Sequence, residues 1–79
     1  MTRVEWRGRV VIDESVHHGD PCIKGTRIPV SIVVGSLADG MSVLEVVDAY
    51  PQLTTEDVGA ALAYAAEVLK QELVLPLAP

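Results

Sequence analysis

Residues 17–22 contain the side chains of this chain that come nearest to a metal or nucleophile site. They are His17, His18, Asp20 and the single cysteine, Cys22. These are legitimate zinc ligand types, but one cysteine beside two adjacent histidines matches no established spacing. Side chains of neighbouring residues on an extended chain also point apart. We therefore expect solvated loop histidines, with no metal and no cofactor.

Nucleophilic catalysis has no better support. No serine has the G-x-S-x-G context, and a cysteine near a histidine is at best a chance pairing here. The acidic pairs Asp13–Glu14 and Glu56–Asp57 suit a turn and the first turn of a helix, where acids interact favourably with the helix dipole. The sequence predicts a binding protein rather than an enzyme.

The stretch DPCIKGTRIPV, residues 20–30, combines a glycine with basic residues but lacks the order of a phosphate-binding loop. That loop needs two glycines five apart and then Lys-Ser or Lys-Thr. Here Pro21 starts a turn, Gly25 redirects the chain and Pro29 sets the start of a helix. We interpret the stretch as a structural elbow.

Charge is divided unevenly along the chain, whose net charge is −5. Residues 1–27 hold five basic and four acidic side chains, whereas residues 28–79 hold Lys70 against seven acids. A polyanion should therefore contact the N-terminal third, and a basic partner the remainder. The candidate DNA-binding residues are Arg3, Arg7, Arg9, Lys24 and Arg27.

Residues 3–12, RVEWRGRVVI, alternate with the period of a β-strand. Two interpretations stay open for the charged face: a β-ribbon that enters a DNA groove, or an edge strand protected by its charges. We expect the apolar face to be buried in a homodimer, because the chain offers it no obvious partner. The charged face comprises Arg3, Glu5, Arg7 and Arg9, and the other face Val4, Trp6, Gly8 and Val10.

Three helices are predicted in the second half. The first follows Pro29, ends near Gly40 and contains Gly35, whose cost in a helix suggests a close contact there. Ser42 with Glu45 forms a capping box for the second helix, and Thr54 with an aspartate at position 57 repeats the device. The third helix is expected to run to about residue 72.

Helical periodicity assigns the faces of these helices. The predicted buried residues are Val30, Val33, Val34 and Leu37 in the first, Val43, Val46, Val47 and Tyr50 in the second, and Val58, Ala61, Leu62, Ala65 and Leu69 in the third. Ala60 and Ala63 are among the positions predicted to be exposed.

The fold class is therefore mainly α: a short N-terminal strand or extended arm, followed by a three-helix bundle of the helix-turn-helix type. The short connection PQLT between helices two and three is typical of that motif. Residues 54–69, the would-be recognition helix, contain no Arg, Lys, Asn or Gln to read bases.

We predict one domain, divided into an arm and elbow (1–29), a helical core (30–72) and an apolar tail (73–79). A chain of 79 residues with one cysteine buries a limited core without disulfides, which favours a dimer. No apolar run reaches the length of a membrane span and no signal-peptide pattern opens the sequence, so we expect a cytoplasmic location.

The sequence resembles domain-of-unknown-function family 433 from about Val11 to Glu67. The features that carry the resemblance are KGTRIPV, DGMSVLEV, YPQLT and DVGAALAYA. The resemblance implies a small helix-turn-helix protein, similar to the antitoxins of VapBC-type modules. It also implies a PIN-like ribonuclease toxin as partner and operator DNA as a further ligand. A DNA-binding regulator without a toxin, or a dimerisation module, remains the alternative.

The tail adds candidate partner-binding residues to this interpretation. An apolar segment is costly to expose, so it should be covered by the chain's own core, by a dimer mate or by the toxin. Acidic residues at its rim would steer a basic nuclease. The candidates are Glu67, Glu72, Leu73, Leu75 and Leu77.

Overall fold

The structure, a computed structural model, describes residues 3–71 apart from the side chain of His17. A two-stranded antiparallel hairpin precedes three helices, which confirms the predicted fold class. No helix within the described residues is both long and apolar enough to cross a membrane. The elements are β1 (Val10–Val11), β2 (Cys22–Ile23), α1 (Val30–Ala38), α2 (Val43–Ala49) and α3 (Thr55–Gln71).

The predicted N-terminal strand is wrong in extent. β1 holds only two residues, with Val10 opposite Ile23 and Val11 opposite Cys22. Before it, residues 7–9 form a turn, because the amides of Arg9 and Val10 both donate to the carbonyl of Trp6. The turn breaks the period-two alternation, so the arginines do not share one strand face. We call residues 3–9 the arm.

The elbow interpretation of residues 20–30 is confirmed in its geometry. Gly25 has a φ of +80°, a conformation that favours glycine. The Thr26 hydroxyl donates to the carbonyl of Ile23 and accepts from the amide of Ile28. The amide of Val30 then donates to the carbonyl of Pro21 at 2.9 Å, which ties the start of α1 to the start of the elbow.

Both predicted helix caps are present. The Ser42 hydroxyl accepts from the Glu45 amide at 3.1 Å, and the Glu45 carboxylate accepts from the Ser42 amide at 2.8 Å. That backbone amide, together with the hydroxyl, holds the pKa of Glu45 below its usual value. Thr54 and Asp57 make the same reciprocal pair at 3.1 and 3.0 Å.

The core lies where α3 packs against α1, α2 and β1. The face assignment of α3 needs correction: Leu62 and Leu69 are exposed, whereas Ala60 and Ala63 are buried. Val43 of α2, predicted to be buried, is also exposed. The core cluster comprises Val10, Ile23, Val30, Val33, Val46, Leu53, Val58 and Ala61.

Gly35 has no close contact, contrary to the expectation from the sequence. A Cβ added there would meet nothing within 4 Å outside its own helix. We expect Gly35→Ala to raise the free energy of unfolding by about 0.5–1 kcal/mol, because alanine loses less backbone entropy in a helix. Urea denaturation followed by circular dichroism measures this change.

Gly59 in α3 is the matched control. A Cβ at this position would lie 2.7 Å from Cγ2 of Val4, so the arm would have to shift. We expect Gly59→Ala to lack the increase in the free energy of unfolding that is expected for Gly35→Ala, and to change the fluorescence of Trp6. Equal stabilisation by both substitutions would contradict the packing of the arm on α3.

Candidate functional site

The arm packs on α3 through aromatic and apolar contacts. The rings of Trp6 and Tyr64 meet edge to face, with centroids 4.8 Å apart and an interplanar angle of 81°. The guanidinium of Arg7 lies 4.9 Å from the centroid of the Trp6 ring. Val4 covers Gly59. Tyr64 is therefore a partner for Trp6 within the chain, and burial of the apolar face of the arm in a homodimer stays a prediction.

Ion pairs fasten the same arm to the beginning of α3. Arg9 donates to Oδ1 of Asp57 and to Oε2 of Glu56, each at 3.1 Å. The second carboxylate oxygen of Asp57 accepts from the Thr54 amide, so one aspartate joins the helix cap to the arm. The Asp57 side chain is largely buried, and its charge-assisted hydrogen bonds are therefore less screened than surface pairs.

Arg7 is also engaged within the chain. It pairs with Glu5 at 3.0 Å and with Glu67 at 3.5 Å, with its own side chain well exposed. Such exposed pairs stabilise little. Their consequence is electrostatic: carboxylates lie beside the guanidinium groups that were predicted to contact DNA.

The remaining predicted DNA-binding residues, Arg3, Lys24 and Arg27, are all exposed. Arg3 is exposed at the start of the arm. The backbone amide of Lys24 donates to the carbonyl of Arg9 at 2.8 Å. Lys24 and Arg9 line a cleft together with Glu5 and Asp57. Arg27 is exposed and lines a different depression on the elbow. Arg9 and Lys24 line one depression and Arg27 another, and DNA binding through the five predicted cations stays a prediction.

An apolar groove runs between the start of α1 and the C-terminal half of α3. Its volume is about 370 Å³, and the polar side chains among the described residues that line it are Asp20, Ser31 and Tyr64. Periodicity placed Val30 and Val34 on an inward stripe, but the groove depends on how far apart two helices lie, which periodicity does not define. The apolar lining comprises Pro21, Val30, Val34, Tyr64, Ala65, Val68 and Leu69.

The described part of the groove lining is mostly apolar. Its polar groups are the Asp20 carboxylate, the Ser31 hydroxyl and the Tyr64 phenol. Cys22 follows Asp20 by two residues and is buried. Its burial, and to a smaller extent the charge of the Asp20 carboxylate, raise the pKa of its thiol. A thiol with a raised pKa is a poor nucleophile. Among the described side chains, which exclude that of His17, no cluster of three His, Cys, Asp or Glu residues is placed to hold a metal ion.

The predicted partner-binding residues fall mostly beyond the structure. Glu67 is half-buried and accepts from Arg7. Its carboxylate thus holds the arm as well as facing the surface. Glu72, Leu73, Leu75 and Leu77 lie outside the described residues.

Comparison with known proteins places this arrangement in a family. The model of a family described as "Protein of unknown function (DUF433)" matches residues 10–65. An uncharacterized protein, y4eO, of Sinorhizobium fredii (strain NBRC 101917 / NGR234) is 43% identical over 47 residues, which are 60% of this chain and 21% of y4eO.

A solved structure is also similar. The crystal structure of a DUF433 member from Anabaena variabilis ATCC 29413 superposes with a TM-score of 0.75 and 34% identity, over 82% of this chain and 64% of that one. The chain thus matches about a fifth of y4eO and under two thirds of the crystallised protein.

Proposed function

The chain belongs to the DUF433 family of proteins of unknown function, and we propose that it is an antitoxin-like protein that binds and neutralises a PIN-like ribonuclease in the cytoplasm. It acts by binding and carries out no reaction of its own. The apolar groove between α1 and α3 is the observation that carries the proposal.

The groove offers what a protein partner needs. It is a concave apolar surface between two helices, where an inserted apolar side chain loses contact with water. Burial of one such anchor contributes about 1.5–3 kcal/mol, which is the scale of an interface hot spot. The isolated polar groups at Asp20 and Ser31 lie where they can orient the bound segment.

Charge favours a nuclease as the owner of that segment. Residues 28–71 hold six acids and Lys70. A ribonuclease that handles RNA presents basic side chains, so opposite potentials accelerate the encounter and align the two surfaces. Nucleic acid would meet the same acidic surface with repulsion.

Regulation of the operon through DNA binding is the second candidate function. The helix-turn-helix order favours it, but the first turn of α3 carries Glu56 and Asp57. Arg9, which faces them, already donates to both carboxylates. A DNA complex formed by these arginines would have to break the ion pairs first.

The test combines the purified chain with the protein encoded by the adjacent reading frame, assayed for RNA cleavage. We expect the wild type to inhibit cleavage and Val68→Glu to weaken inhibition at least about 100-fold, since a charge would be buried against an apolar anchor. Ser31→Trp is a second variant, because Ser31 is exposed and a large ring there fills the groove without touching the core.

Leu44→Glu is the matched control, since Leu44 is 73% exposed on α2 and does not line the groove. It should inhibit like the wild type. Circular dichroism verifies that each variant is folded. A neighbouring frame without a PIN-like protein, or full inhibition by both groove variants, would contradict the proposal.

A further inference from the structure

The apolar groove between α1 and α3 reaches the end of α3 from which the chain continues. Val68 and Leu69 line it near the end of that helix, and Gln71 follows Leu69 by only two residues. The stretch of α3 that lines the groove, from Tyr64 to Leu69, rises about 7.5 Å along the helix axis. A segment that follows Gln71 can therefore enter the groove after one reversal of direction.

The sequence after α3 has the composition of an occupant for this groove. Residues 73–79, LVLPLAP, contain no charged side chain, and four of them are leucine or valine. Leu73, Leu75 and Leu77 recur with a period of two, so an extended segment would direct all three to the same side. They would span about 13 Å, which exceeds the length of α3 that lines the groove.

Pro76 favours an extended segment over a longer helix. A proline removes one helical hydrogen bond, and its ring clashes with the carbonyl four residues earlier. It also disfavours helical geometry at the residue before it, Leu75. Because the φ angle of proline is fixed, Pro76 reduces the backbone freedom that the segment loses when it docks.

We infer that residues 73–77 fold back into the groove and cover it, with Leu73, Leu75 and Leu77 as the contacting side chains. The charged side chain among the described residues of the lining is Asp20. The segment brings no second acid against it, and its backbone amides are donors that a carboxylate accepts from. A tethered segment has an effective concentration in roughly the millimolar range, so at micromolar protein it excludes the same segment of a second copy.

This cover goes beyond the nuclease proposal, because it concerns the chain alone. One consequence does rest on that proposal: a nuclease segment would have to displace residues 73–77 before it binds, so the cover would lower the affinity of the complex. A measurement on the isolated chain contains no nuclease, and the two proposals can therefore fail separately.

Thiol modification in the groove tests the cover. Val34 is half-buried and lines the groove, so the rate at which a disulfide reagent modifies Val34→Cys reports the fraction of molecules with an open groove. We expect that rate to rise at least about 10-fold when Leu75→Glu is added in the full chain, because a charged side chain resists burial against an apolar lining. Val74→Glu, on the other side of the extended segment, should raise it less than about 2-fold.

Val47→Cys is the matched probe, because Val47 is a half-buried valine of α2 that does not line the groove. Its modification rate should not respond to Leu75→Glu. The wild-type thiol, Cys22, is buried and provides the background rate. Ser31→Cys, at an exposed position of the lining, replaces Val34→Cys if circular dichroism shows that the latter is unfolded.

Protection of the thiol should be independent of protein concentration, since the segment belongs to the same molecule. Protection that grows between low and high micromolar protein would assign the segment to a second copy and overturn the inference. An equal rate with and without Leu75→Glu, equal acceleration by Val74→Glu, or acceleration of Val47→Cys would overturn it as well.

Discussion

Replacement of Leu53 with alanine will lower the free energy of unfolding by about 2–5 kcal/mol. Leu53 lies in the turn between α2 and α3 and is only 2% exposed. Its side chain belongs to the same buried cluster as Val46 and Val58, so truncation leaves a cavity between the two helices. The free energy of unfolding of a native protein is about 5–15 kcal/mol in total, so this loss is a large share of it.

Urea denaturation followed by circular dichroism measures the loss, with Leu44→Ala as control. Leu44 is the same residue type on α2 but largely exposed, so its truncation should change the free energy of unfolding by no more than about 0.5 kcal/mol. Similar values for the two alanine variants would show that the turn between α2 and α3 is not packed as described.

The parts of the fold that sequence predicts well depend on residues close together in the chain. The pairs Ser42–Glu45 and Thr54–Asp57 are three residues apart, and each closes its own hydrogen bonds before any tertiary contact forms. Gly25 likewise needs only its own backbone conformation to define the elbow. These hydrogen bonds and this backbone conformation depend on neighbouring residues and not on the rest of the fold.

The arm was mispredicted because its partners are remote in sequence. Arg9 bonds to Asp57, which lies 48 residues away, and no spacing rule links them. Contacts between residues remote in sequence also explain why the buried face of α3 was predicted wrongly. A single apolar stripe assumes that a helix packs against one neighbour, whereas the arm is a second neighbour of α3. Ala60 and Ala63 are therefore buried, and Leu62 is left outside.

The groove between α1 and α3 and the exposure of Leu62 and Leu69 could not be predicted for the same physical reason. Periodicity indicates that Val34 and Ala65 point inward, but not whether the two helices close on each other there. The exposure of Leu69 can be determined only when all the elements that pack against α3 are known. Candidate binding surfaces in this chain are consequences of packing, whereas the caps are consequences of sequence.

Trp6→Ala will lower the free energy of unfolding by about 2–3 kcal/mol, although Trp6 precedes every regular element of the structure. Its ring is half-buried against Tyr64 and beneath the Arg7 guanidinium. Truncation removes both contacts. Trp6→Phe keeps an aromatic edge-to-face contact and should cost less than half as much.

Combination with Arg9→Ala tests whether the arm is held as one unit. Arg9 and Trp6 fasten the same short segment to the same helix, at Asp57 and Tyr64. Once either is lost the arm gains freedom, and the other contributes less. The double variant should therefore lose at least about 0.5 kcal/mol less than the sum of the single losses in a double-mutant cycle. Strict additivity would mean that Trp6 and Arg9 fasten the arm independently of each other, and no loss from Trp6→Ala would mean that the Trp6 ring does not hold the arm on α3.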